Sequence, residues 1–430
     1  MPWPDDSLEP AAFLGQLFAT AVAAVQASPR LAASFPAPPA GRLIVVGAGK
    51  AAAAMAAEAE SHYACDLEGL VIVPEGYGKP CTRINVVEAA HPVPDARGHA
   101  AAGRILQLVQ SAGADDLVLC LISGGASALM ALPAPGVTLA DKRAVTTALL
   151  RSGAAIGEIN CVRKHLSAIK GGRLAVAAAP ARVVSLIVSD VVGDDPAVIA
   201  SGPTALDTTT CADALAVLER YAVSIPPHVR SKLMDESLET PKAGLAHASL
   251  HIVARPVDAF AAAAAKARAH GLKVLDLGDR CEGEARTAAA AQAALVRSII
   301  AGAGPVSPPC VILSGGELVV TITGDGRGGP NTEFALALAL QLKGLAQVWA
   351  LAADTDGRDG AAEAAGARIG PTTLQRAQDL GRDPAAALSR NDSAGIFRVL
   401  GDLVNPGLTY TNVNDFRAIL VLAASPPSMR

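Results

Sequence analysis

The sequence predicts an α/β protein of two domains. Short apolar, strand-sized runs lead again and again into a glycine-rich turn and then a helical pattern. At 430 residues the chain is too long for one typical core, and its 51% hydrophobic content can fill two. The polar stretch DESLETPKAG suits a boundary, giving domains 1–240 and 241–430.

Composition removes several classes of function. The formal net charge is -4 and no Lys/Arg cluster alternates with aromatics, which make up only 3% of residues. Nucleic acid and anionic membrane surfaces are therefore not expected partners. No apolar run approaches the roughly 20 residues of a spanning helix, and the N-terminus lacks the basic and apolar regions of a secretory signal. Seven scattered cysteines without a C-x-x-C pair read as reduced thiols of a cytoplasmic protein. A monomer or a homodimer is expected.

The elements follow in order. An amphipathic helix at about 9–28 and a proline-rich connector precede RLIVVGAGKAAAAMAAEAE, which reads as buried strand, glycine turn and helix. Gly47, Gly49 and Ala52 fit G-x-G-x-x-A, and the next strand ends in Glu75, so the first domain is Rossmann-like. A Walker A loop fails because Ile44 and Ala51 stand where it needs Gly and Ser/Thr. Lys50 heads the helix, where its ammonium would join the terminal N–H groups in holding phosphate. The turn is otherwise a plain tight connection. His91 and Asp95 then lie on a proline-stiffened loop, with Asp95 a natural helix cap.

The run DDLVLCLISGGASALM repeats strand, turn and helix, so Ser123, Gly124 and Gly125 form a second candidate anion nest. EINCVRKHLSAIKGGRLA reads as one helix closed by Gly171 and Gly172, with Asn160, Arg163, Ser167 and Lys170 on one face. Two cations without an acidic partner there suit an anionic small molecule. The β-branched run VVSLIVSD delivers Asp190, Asp194 and Asp195 to a strand end, where carboxylates hold Mg²⁺, take a hydroxyl proton, or simply form turns.

HASLHIVARP opens the second α/β unit. Residues 311–334 read as two short strands, each followed by a glycine turn: Ser314, Gly315, Gly316 and Glu317 in the first, then GDGRGGPN with Arg327, Gly328 and Asn331 opening a helix. Backbone N–H groups and helix polarity make this a phosphate site. Asp354, Asp356 and Asp359 share a later turn whose spacing is not that of an EF-hand.

Taken together, GAGKAA, HPVPD, LISGGASALM, NCVRKHLSAIKGGRLA, SDVVGDDPAVIASGPT, LSGGE, GDGRGGPNTE, ADTDGRDG and TNVND run from about residue 10 to 423. The set resembles the two-domain glycerate 2-kinases, whose C-terminal domain is called MOFRL. The resemblance implies two different three-layer α/β domains with an inter-domain cleft, and ATP- and Mg²⁺-dependent phosphorylation of D-glycerate to 2-phosphoglycerate. It implies Lys50 and Arg327 as the positions carrying phosphoryl transfer. The chain departs from the pattern at Ala126, in place of a third glycine, and at Pro330 and Thr332, where many relatives read G-G-R-N-Q-E. Arg327 is then the only cation of its loop.

The expected mechanism is direct in-line transfer. Lys50 and Arg327 neutralise the phosphoryl group, Arg163, Ser167 and Lys170 with the Ser123–Gly125 turn bind glycerate, and Gly47, Gly49, Ser314–Glu317, Gly328 and Asn331 bind the nucleotide. Some of Asp190, Asp194 and Asp195 hold the metal. Asp190, or else Asp356, takes the hydroxyl proton. The rival readings are an NAD(P)H-dependent hydroxypyruvate reductase, prompted by the G-x-G-x-x-A turn, and a sensor of phosphorylated metabolites.

Overall fold

A computed structural model describes residues 9–26 and 30–423. The opening stretch read above as lacking a signal sequence lies largely in residues 1–8, outside the described residues, as does the end of the expected 9–28 helix. The chain divides into two compact units, one of Ala27–Ala254 with Tyr410–Asn412, the other of Met1–Gln26, Arg255–Thr409 and Val413–Arg430.

The first unit is built on a parallel sheet of β1 (Leu43–Ala48), β2 (Leu67–Pro74), β3 (Ile84–Ala89), β4 (Leu117–Ile122), β5 (Arg182–Val188) and β6 (Ala248–Ala254). Their order is β3-β2-β1-β4-β5-β6, that of dinucleotide-binding sheets. β1 and β4 are buried along their whole length, which explains their unbroken apolar sequences, since both faces of a central parallel strand are covered. Helix Ala96–Gln110 packs on the face carrying Ile44, Val46, Val118 and Cys120. Helix Ala52–His62 touches the same strands but takes no part in that cluster, so it covers the other face. Asp95 is the cap expected of it, accepting from Gly98 N at 2.9 Å. Helices Leu139–Arg151, Ile156–His165, Cys211–Arg220 and Pro227–Met234 form a separate small core.

The second unit has a mixed sheet of β7 (Lys273–Asp276), β9 (Cys310–Gly315), β11 (Val348–Asp354), β12 (Gly366–Ile369), β13 (Leu403–Val404) and β14 (Asp415–Val421), in the order β13-β12-β11-β14-β9-β7. Only β7 and β9 pair in parallel. Helices Ala285–Ile300 and Pro330–Leu342 pack on one face, and helices Pro10–Val25 and Pro256–Ala269 pack together against the same sheet. The remaining strands, β8 (Gly283–Glu284) and β10 (Leu318–Val319), form a two-stranded ribbon, so the second strand expected within 311–334 shrinks to two residues.

The expected division at 240/241 is displaced at both ends. β6 lies beyond it yet pairs with β5, because its backbone completes the first sheet. The opening helix belongs to the second unit because Phe13, Leu17 and Ala21 on its apolar stripe are buried there.

Candidate active site

In the first unit the strand order reverses between β1 and β4, and open α/β sheets bind ligands at the carboxyl ends of such a pair. The two glycine turns meet at this point. Lys50 N donates to Gly124 O at 2.9 Å and Ala51 N to Ser123 Oγ at 2.9 Å. Gly49 N and Ala52 N also donate within the protein, to Ile72 O and Gly49 O. These four amides are therefore engaged, which corrects the expectation that they join Lys50 in holding phosphate. Ser123 is buried and holds the Lys50 turn in place; its hydroxyl is not presented to a substrate. Gly49 has φ +124° and a Cβ there would come within 2.2 Å of Ser123 Oγ, so the glycine is required by the approach of the two turns. Gly47 is pressed against Leu121 O in the same way.

Asp190 follows β5 and stands directly against Gly124. A Cβ at Gly124 would lie 2.2 Å from Asp190 Oδ2 and 2.0 Å from Asn412 Nδ2. Asn412 Nδ2 donates to Asp190 Oδ2 at 3.0 Å and orients the carboxylate. Asp194 and Asp195 are on the following loop. Asp195 Oδ1 accepts from Ala197 N and closes its own turn, whereas Asp194 Oδ1 is buried without a hydrogen-bond partner. Among the described residues, Asp190, Asp194 and Asp195 do not bring three carboxylate oxygens within 4.8 Å of one another. Of the three candidates, Asp195 already uses one oxygen in its own turn. Mg²⁺ needs only one or two carboxylates besides phosphate oxygens, so Asp190 and the orphaned oxygen of Asp194 fit such an ion.

Beside the SGGAS turn lies a cavity of about 250 Å³ whose lining includes His91, Ser127, Lys142, Arg163 and Lys170. The helix expected from Glu158 to its closing Gly171 and Gly172 ends at His165, so its polar face is broken. Arg163 and Lys170 still reach the cavity, but Ser167 does not: it is buried and donates to Leu132 O at 3.1 Å. Asn160 is also turned inward, accepting from Ser201 Oγ. Lys170 Nζ donates to Ser127 Oγ at 3.2 Å and Ala200 O at 3.0 Å. Burial, then the neighbouring Lys142 and Arg163, pushes its pKa well down. Lys142 escaped sequence reading. It is 5% exposed, and burial followed by repulsion from Arg163 and Arg173 lowers its pKa to about 7. The signal was present: Lys142, Val145 and Leu149 form the buried stripe of their helix, an unusual place for a lysine.

In the second unit, the anion position at the head of helix Pro330–Leu342 is filled by the protein. Asp359 Oδ1 accepts from Asn331 N, and Asp359 Oδ2 from Thr332 N and Thr332 Oγ1, all at 2.8 Å. Asn331 is itself buried, donating to Asp415 Oδ1 at 2.7 Å. Ser314 is buried and accepts from Gln292 Nε2 at 3.0 Å, while Gly315 and Gly316 are packed in the turn. Neither helix head nor first turn is therefore the open phosphate nest that the glycines suggested. Glu317 and Arg327 are exposed. The Arg327 backbone is tied to Asp392 and Ala394, and its guanidinium is 3.7 Å from Glu363. Asp356 is buried and caps its own turn by accepting from Arg358 N at 2.7 Å.

One further group has metal-ligand chemistry. His165, Cys211 and Glu239 bring ligand atoms within 4.8 Å of one another. Lys242 Nζ already sits 2.7 Å from Glu239 Oε1. Burial opposes ionisation of Glu239, but Lys242 and backbone donors outweigh it and lower its pKa to about 2. The ammonium does there what a cation would.

A parallel dinucleotide-type sheet with a lysine turn, a serine–glycine turn and an aspartate loop at its switch point places this unit among doubly wound α/β domains. The family described as "Domain of unknown function (DUF4147)" matches residues 13–234, and the MOFRL family matches residues 310–415. An Agrobacterium vitis protein named provisionally as a hydroxypyruvate reductase is 50% identical, over 98% of this chain and 96% of its own. The D-glycerate 2-kinase of Thermotoga maritima is 39% identical, over 87% of this chain and 89% of its own. A crystal structure of Thermotoga maritima glycerate kinase superposes with TM-score 0.86 at 36% identity, covering 96% of this chain and 99% of that one. The chain belongs to the two-domain glycerate kinase family, with DUF4147 and MOFRL domains.

Proposed function

We propose that the protein is an ATP-dependent kinase that converts D-glycerate to 2-phosphoglycerate by direct in-line transfer. The observation that carries this reading is the meeting of the Lys50 turn, the Ser123–Gly125 turn and Asp190 at the β1/β4 switch point, in a chain related to glycerate kinases over most of its length. Phosphoryl transfer asks chiefly for positioning and charge neutralisation. In the first unit, Lys50 neutralises phosphoryl charge, Arg163 and Lys170 take the glycerate carboxylate, and Asp190, held by Asn412, accepts the hydroxyl proton. In the second unit, Arg327 offers an always-charged fork to phosphate oxygens. Asp190 and Asp194 are the donors for Mg²⁺, which, when bound, spreads the charge of the phosphate oxygens. The enzyme works in the cytoplasm with free thiols, as a monomer or homodimer.

The reductase reading is favoured by the name of the Agrobacterium relative and by the strand order. Against it, a pyrophosphate held at a helix head needs free amides, and those of Gly49 to Ala52 are engaged. Purified protein given D-glycerate, Mg²⁺ and ATP is expected to release ADP, and given hydroxypyruvate with NADH or NADPH to leave the cofactor unoxidised. Cofactor oxidation without glycerate-dependent ADP release would reverse the assignment.

A further inference from the structure

The cavity beside the SGGAS turn carries more positive charge than a monocarboxylate requires. Lys142, Arg143, Arg163 and Lys170 all line it, Lys142 and Lys170 almost fully buried and Arg143 exposed at its rim, and no carboxylate does among the described residues. The acids near these side chains in sequence are engaged elsewhere, Asp141 with Thr138 and His228 and Glu158 with Arg220 and Tyr221, as is the more distant Asp207 with Lys164, Thr209 and Thr240. Lys142 Nζ has only long contacts, 3.4 Å to Arg163 O and 3.3 Å to Leu166 O. The Arg163 guanidinium makes no hydrogen bond or ion pair with another described residue. Clustered like charges, two of them on buried side chains, repel one another and are costly to desolvate unless an anion joins them. Both lysine pKa values are depressed accordingly.

The charge count selects the guest. Glycerate brings one negative charge, which leaves two of the three inner cations uncompensated, with Arg143 a fourth at the solvent-facing rim. A phosphate group brings close to two more, with oxygens enough for several donors. We propose that this cavity binds a multiply charged, phosphate-bearing anion in preference to the unphosphorylated hydroxy acid, with Lys142 as a binding residue alongside Arg163 and Lys170. Through the kinase reading, on which this identification rests, the anion is the phosphorylated product, and the enzyme is therefore subject to strong product inhibition. Free inorganic phosphate has the same chemistry and is the alternative source.

Calorimetric titration of the full chain without nucleotide tests this, using 2-phosphoglycerate, inorganic phosphate and D-glycerate in turn. At least one phosphate-bearing anion is expected to bind about tenfold or more tightly than D-glycerate. Tighter binding of 2-phosphoglycerate identifies the product, and equal binding of inorganic phosphate identifies the free ion. Lys142→Met is expected to remove most of that preference while changing D-glycerate affinity by less than about threefold. Thr146→Glu, which puts a carboxylate on a half-exposed wall position of the same cavity, is expected to weaken every anion without needing a buried substitution to fold. D-Glycerate binding as tightly as both phosphate-bearing anions, or Lys142→Met leaving the preference intact while Thr146→Glu leaves anion affinity unchanged, would overturn the proposal. Because no turnover is measured, a failed kinase reading is seen separately, as absent ADP release by a protein that still binds phosphate anions.

Discussion

Asp359 and Thr332 form a closed cap: one carboxylate oxygen of Asp359 accepts both the amide and the hydroxyl of Thr332 at 2.8 Å, while the other takes the amide of Asn331. A protein carboxylate thereby holds the place at a helix head where phosphate is commonly bound. Burial raises the pKa of this group to about 7 despite its donors, with Asp415 adding to the rise.

The pH dependence of the second unit follows from that pair. A carboxyl raised from 3.8 to about 7 on folding contributes stability that is fully present below pH 3.8 and lost as pH rises through 7. The melting temperature of the second unit is expected to fall between pH 5 and pH 8, the whole effect being on the order of a few kcal/mol. Asp359→Asn should flatten the slope, as followed by calorimetric melting. An unchanged slope in that variant would remove Asp359 as its source.

Lys142 gives the first unit a slope of opposite sign. Its pKa is depressed from 10.5 to about 7, so its contribution to stability is present above pH 10.5 and lost as pH falls through 7. The first unit is expected to melt at a higher temperature at pH 9 than at pH 6.5. Lys142→Met should abolish that difference, and thermal melts at the two pH values measure it.

Gly124→Ala places a methyl group within 2.2 Å of Asp190 Oδ2 and 2.0 Å of Asn412 Nδ2. Both are ends of side chains that can swing away, so the fold should survive while the carboxylate is displaced. The expected cost is on the order of 10- to 100-fold in kcat, with a circular dichroism spectrum like that of the unaltered protein. Full kcat would show that the Asp190 position is not needed.

Lys50→Ala and Arg327→Ala should each lower kcat by about 10²-fold or more. Neither replacement removes a buried side chain, so melting temperatures should stay close to that of the unaltered protein. Steady-state kinetics of each variant decides its role independently.

What was legible in the sequence was what depends on local pattern. The continuous apolar runs of β1 and β4 and the aspartate loop after β5 were each readable because strand burial and turn chemistry leave their mark on neighbouring residues. Long-range partners were not legible. Nothing near Ser123 or Gly124 in the chain announces that the Ser123 hydroxyl and the Gly124 carbonyl accept the amides of Ala51 and Lys50. Asn412 lies far from Asp190 in sequence and meets it only through the fold. The spacing of Arg163, Ser167 and Lys170 predicts one helix face, but the helix stops at His165 and Ser167 turns to Leu132. The glycine turns suggested phosphate nests because glycine permits both an anion and a close-packed neighbour, and Asp359 shows how a distant side chain decides between them.

The central claim is most directly tested by phosphorus NMR of a reaction containing the protein, D-glycerate, Mg²⁺ and ATP. The kinase reading predicts ADP signals together with a new phosphomonoester split by the single proton on C2. A phosphomonoester split by the two protons on C3, or no new organic phosphate while hydroxypyruvate consumes NADH, would contradict it.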